Sequence, residues 1–173
     1  MAAGPVFDLH FDAQGNIWVG AYTGKKNSGL FKYGRNGKMV SSVPLRYTSG
    51  DFFDDLFSFA IQPSGRIVVV YMVQNKIEIW NTSAKFEKQF QASGFPPRPN
   101  YKSLSNGMRV PEGNIFRKTA VDRHGNIYLL TEQFTDNPLR DVQVLNPEGK
   151  YVTTFTLPAK SHLIFVDGSN NVF

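Results

Sequence analysis

Three groups of residues in this 173-residue chain have types and spacing that could do chemistry. Asp51, Asp54 and Asp55 form an acidic cluster, and carboxylate oxygens at such spacing suit a hard divalent cation. A solvated acidic turn is the competing reading, and no second carboxylate cluster at an equivalent position supports a metal. Arg117 and Lys118 are adjacent cations on an expected strand, where they could bind an anion or pair with Asp8 or with a loop carboxylate. Arg98, Tyr101, Lys102 and Arg109 lie in a Pro-stiffened stretch, and Arg140 in a shorter loop. Together they offer cations and an aromatic surface to an anionic or sugar-like ligand, unless these loops merely pack over the fold. His10 and His162 would each need further partners to hold a metal. No Gly-x-Ser-x-Gly or His-Glu-x-x-His motif is present. The stretch Gly20–Lys26 is one residue short of a phosphate loop and lacks its Ser or Thr. The residues therefore lean away from an enzyme, with no catalytic constellation visible.

The totals bound what can position these groups. Hydrophobic residues make up 41% and aromatic residues 14%, enough for a packed core and against disorder. Fifteen Gly and ten Pro beside fifteen Phe favour an all-β chain with many turns. There is no Cys, so disulfides and thiolate chemistry are excluded. The net charge of +5 permits a nucleic-acid partner but is also ordinary for solubility. No apolar run reaches the roughly 18 residues of a membrane span. The N-terminus shows no signal peptide, so the compartment is open; a truncated start would favour a periplasmic or extracellular setting.

A repeat sets the elements. Phe11-Asp12-Ala13-Gln14-Gly15-Asn16-Ile17-Trp18 returns as Ile61-Gln62-Pro63-Ser64-Gly65-Arg66-Ile67-Val68 and as Val121-Asp122-Arg123-His124-Gly125-Asn126-Ile127-Tyr128. A fourth copy, Val166-Asp167-Gly168-Ser169-Asn170-Asn171-Val172-Phe173, has Asn in place of Gly. In each, a strand ends, a polar side chain opens a tight turn, Gly or Asn takes a positive φ, and a second strand begins. A second hairpin signature follows at Tyr33–Lys38, Trp80–Lys85 and Leu145–Lys150. Two hairpins per repeat make a four-stranded unit. Strands such as Ile67-Val68-Val69-Val70-Tyr71 are apolar on both faces, as required of blades covered on both sides.

The pattern apolar-Asp-x-x-Gly-Asn-Ile-aromatic, followed by a strand and a Gly-Lys turn, resembles the NHL repeat and its six-bladed propeller relatives. The expected fold is thus an open arc of a β-propeller: three full blades near residues 6–44, 56–92 and 115–158, and part of a fourth at 162–173. Such a piece reads as a fragment of a longer protein, and its uncovered blade faces make self-association possible. The resemblance implies a binding or scaffold module for a protein, peptide or glycan. Its alternatives are a lactonase- or lyase-type enzyme with a divalent cation in the channel of the full-length propeller, and an RNA-binding propeller.

Spacing adds a polarity. Gly15, Gly65, Gly125 and Asn170 are 50, 60 and 45 residues apart, yet each hairpin signature keeps its length. The insertions must lie at 23–28, 46–55, 93–114 and 132–141, all connections that leave a propeller on one face. That loop-rich face is the functional candidate.

Overall fold

The computed structural model describes residues 6–22, 28–45, 53–81 and 83–173. Three four-stranded antiparallel sheets follow one another along the chain, each in simple up-and-down order. The first contains β1 (Val6–Phe11), β2 (Ile17–Tyr22), β3 (Ser28–Tyr33) and β4 (Met39–Pro44). The second contains β5 (Phe57–Ile61), β6 (Ile67–Tyr71), β7 (Ile77–Trp80) and β8 (Phe86–Phe90). After a short hairpin of β9 (Tyr101–Ser103) and β10 (Arg109–Pro111), the third contains β11 (Phe116–Val121), β12 (Ile127–Thr131), β13 (Asp141–Leu145) and β14 (Tyr151–Thr156). This is the expected all-β partial propeller. The fourth unit is slighter than the expected strand at 162–166. It comprises the Val166–Val172 bridge and the paired backbone bonds of Phe165 and Phe173.

The blades stack because their strands are apolar on both faces. Alternate residues of β6 serve different cores: Ile67, Val69 and Tyr71 pack toward the first blade, with Trp18, Leu30 and Phe59. Val68 and Val70 pack toward the third, with Phe116, Ile127 and Leu129. Within the third blade, Tyr128 and Leu130 turn to the fourth unit and meet Ile164 and Val166. The period of two in a strand thus gives each central sheet two buried faces. The cores lie between blades, leaving the inner strands β1, β5 and β11 side by side along a channel.

One turn recurs in both hairpins of every blade. Asp12 N donates to Asn16 O at 3.0 Å and Gly15 N returns to Asp12 O at 2.9 Å, with Gly15 at φ 76°. The same pair of bonds closes the turns at Gln62, Asp122, Asp167, Gly34, Asn81 and Asn146. It also closes one turn that the sequence reading left inside the long loop 93–114. There Gly107 N donates to Leu104 O and Leu104 N to Met108 O, which builds the β9–β10 hairpin. The physical reason is the Asn106-Gly107 pair, which supplies the positive φ and an amide oxygen accepting from Met108 N at 3.0 Å.

Candidate active site at the mouth of the channel

The inner strands begin at the loop-rich end, so their first residues converge there. Asp8 stands on β1, Ser58 on β5, Arg117 and Lys118 on β11, and His162 just before the fourth unit. Register sets the direction of each. Asp8 pairs with Gly20 and His10 with Trp18 across β2, which puts both on the face turned to the second blade. There the His10 ring stacks edge-on to Phe59 at 4.7 Å.

Asp8 is the hub. Its Oδ2 accepts from Ser58 Oγ at 3.0 Å and from Phe59 N at 3.3 Å. Its Oδ1 accepts from Leu9 N at 3.0 Å and from the Lys118 ammonium, and His10 Nε2 lies 3.2 Å away. Ser58 Oγ in turn accepts from Thr119 N at 3.1 Å, so one polar chain joins the inner strands of three successive blades. Burial pushes the Asp8 carboxyl up, but the hydrogen bonds and charges of His10 and Lys118 outweigh it and hold it at about 2. Arg117 pairs with Glu132 at 3.6 Å, and Glu132 also accepts from Asn114 Nδ2 at 2.9 Å. Beside this network opens a cleft of about 300 Å³, lined by Asp8, Ser58, Met72, Arg117, Lys118 and His162. Both outcomes weighed for Arg117 and Lys118 are therefore present: they line the channel and they pair with carboxylates.

The other candidates form a second group. Asp54 and Asp55 are buried in a short 3-10 turn, Phe53–Asp55. Asp54 accepts from the Tyr101 hydroxyl and pairs with Arg98 at 3.4 Å, while Arg109 lies over the Tyr101 ring at 5.1 Å. The acidic cluster and the cationic loop, read separately in the sequence, are thus two halves of one knot. Asn75 ties the same loop down by donating to Ala92 O and Phe95 O and accepting from Ala92 N. Lys102 is exposed on β9. Arg140 is elsewhere, donating to Leu157 O at 2.8 Å at the end of the third blade. Asp51 lies outside the described residues. Among the described residues no three His, Asp or Glu side chains gather as a metal site.

A channel cation was tested against Asp8. Oxygen-seeking ions need several oxygens with free lone pairs. Asp8 is the only carboxylate on the described inner strands at this mouth, and both its oxygens already accept from protein donors. Two permanent cations stand beside it. The described residues do not fit a divalent ion.

Sequence reasoning missed Ser58 and Glu132. Ser58 was detectable as the residue equivalent to Asp8 one blade on; Glu132 carried no signal, because its partner is set by the chain path through the β12–β13 loop.

A comparison with protein-family models finds no match, and neither does one with curated proteins. Solved structures do match. A catalytically inactive variant of virginiamycin B lyase from Staphylococcus aureus, solved with quinupristin, is 12% identical with a TM-score of 0.59, over 94% of this chain and 46% of that one. A gluconolactonase of Xanthomonas campestris is 14% identical with a TM-score of 0.59, over 95% and 51%. A calcium-binding protein, regucalcin, of Agrobacterium tumefaciens is 14% identical with a TM-score of 0.58, over 94% and 49%. The chain spans about half the length of the structures it matches. These findings correct the NHL resemblance, since the neighbours are lyase- and lactonase-type propellers. The repeat signature misled because it consists of turn and core residues that any four-stranded blade requires. The binding- or scaffold-module reading falls with it, as does the leaning away from an enzyme, because the missing motif was sought along the chain while the channel residues meet across blades. At these identities, what this chain shares with its neighbours is the propeller fold.

Proposed function

We propose that this chain is part of a lactonase- or lyase-type propeller enzyme whose reaction, the opening of a cyclic ester, takes place in the cleft at the channel mouth. The observation that carries it is the cleft itself: Lys118, Arg117 and His162 converge beside Asp8 at the loop-rich end of a fold shared with such enzymes. Ring opening of an ester builds negative charge on the carbonyl oxygen. Lys118 gives one N–H direction to Asp8 and keeps two for the cleft, and the Arg117 guanidinium is adjacent. Preorganised donors of this kind in a part-buried site are worth about 10²- to 10³-fold in rate. Asp8 holds Lys118 in place and charged. His162, exposed at the rim, can take a proton from water and return it to the leaving oxygen. A divalent cation in the channel, expected from the sequence for the full-length propeller, has no ligand set here, so every step is assigned to side chains.

The test is turnover of a panel of small and macrocyclic lactones, read by mass. Hydrolysis adds one water; elimination leaves the mass unchanged. Lys118→Ala is expected to lower kcat by about 10²-fold. Wild-type protein that opens no lactone, or opens one at a rate Lys118→Ala does not change, would overturn the proposal.

A further inference from the structure

We infer that Lys118 is a tethered cation: its ammonium takes the channel position in which a divalent metal ion would otherwise bind Asp8. The geometry is specific. Asp8 and Lys118 belong to the first and third blades, so their ion pair spans the channel mouth across the second blade. Lys118 reaches Asp8 Oδ1, the oxygen turned from β5, while Oδ2 is held by Ser58 Oγ and Phe59 N. Leu9 N completes the contacts of Oδ1. An ion arriving here would have to displace the ammonium, since Asp8 is both mostly buried and fully engaged. It would also meet Arg117 on the next residue and His10 at 3.2 Å from the same carboxylate oxygen. Glu132 offers no relief, because it is turned to Arg117 and Asn114.

A tethered ammonium differs from a bound ion in two ways. It is supplied by the chain at an effectively fixed local concentration, so no free cation is needed. It also offers directed N–H donors rather than a coordination sphere. If the cleft is catalytic as proposed above, this charge serves the reaction without metal; the occupancy itself does not depend on that reading.

The experiment is a titration of the full chain with CaCl2 and MnCl2, followed by calorimetry and by thermal unfolding without substrate. Wild-type protein is expected to show no saturable heat and no shift in Tm at millimolar metal. Lys118→Gln removes the charge but leaves an amide donor for Asp8. It is expected to gain a saturable site, with Tm rising roughly 5–10 °C at a hundredfold excess over the dissociation constant. Asp8→Asn added to Lys118→Gln is expected to abolish that gain, and Lys118→Arg is expected to stay indifferent to metal. Saturable binding by the wild type that Asp8→Asn removes would overturn the inference. So would a folded Lys118→Gln that binds metal no better than the wild type. Should Lys118→Gln not fold, the wild-type titration and Lys118→Arg decide the matter by themselves. Because no substrate enters, failure here and failure of the lactone assay are read separately.

Discussion

At the scale of the residue, this protein uses aspartates as fixed acceptors. Asp8 stitches three inner strands. Asp12 does the same within one turn: its carboxylate accepts from Asn16 N at 2.8 Å, from the Asn16 amide and from Trp18 Nε1, and pairs with Lys32 at 3.0 Å. Asp122 repeats the arrangement with Asn126 and Tyr128. Burial raises each of these carboxyls, and their hydrogen bonds outweigh it, so all end below the ordinary value of 3.8. The sign follows from linkage. A depressed folded-state pKa stabilises above the unfolded pKa, and the contribution is lost as pH falls through the folded value. Stability is therefore expected to be flat above pH ~4 and to fall steeply from there to pH ~2 and below. Asp8 alone accounts for roughly 2 kcal/mol of that loss. Urea unfolding at a series of pH values checks it; Asp8→Asn should make the descent shallower, and an unchanged slope would remove Asp8 from the account.

At the scale of the element, one five-residue turn is used throughout, and its position of positive φ sets the cost of substitution. Gly107 stands at φ 80° with open space around the place a Cβ would occupy. Gly149 stands at φ 87°, and a Cβ there would come within 2.6 Å of the Phe90 ring of the neighbouring blade. Both alanine variants carry the left-handed penalty of about 1–2 kcal/mol. Gly149→Ala must also push Phe90 off the core it borders, adding about 1–3 kcal/mol. Gly149→Ala should thus unfold at clearly lower urea than Gly107→Ala, and equal midpoints would show that the ring yields freely. Ala84 shows that the turn geometry can override residue preference, since it holds φ 59° without being glycine.

At the scale of the whole molecule, three inter-blade cores are closed and two blade faces are not. Register puts Leu9 opposite Val19, Phe11 opposite Ile17 and Val19 opposite Phe31, an apolar patch on the outer face of the first blade. At the other end Leu163, Phe165 and Phe173 are each more than 60% exposed. Fully exposed apolar side chains in contiguous patches favour association. Light scattering over a concentration series is expected to show mass rising with concentration. Leu9→Lys with Phe165→Lys should shift the protein toward monomer, and a monomer at every concentration would show that the arc tolerates open faces. No described helix is long and apolar enough to cross a membrane.

The all-β class, the four-stranded unit, the apolar character of both strand faces and the loop-rich end were legible in the sequence. They depend on local rules, namely turn chemistry and the period of two, which operate over a handful of neighbouring residues. Even the missed β9–β10 hairpin had its signal in Asn106-Gly107. The site was only partly legible. Arg117 and Lys118 could be placed on an inner strand, but their partners could not. Asp8 lies 110 positions from Lys118, and Asp54 lies 47 from Tyr101. Such pairs follow from how blades stack and how long loops return, which no local pattern encodes. Whether a charge is free to bind a ligand or already answered by a carboxylate was therefore decided by the tertiary structure alone.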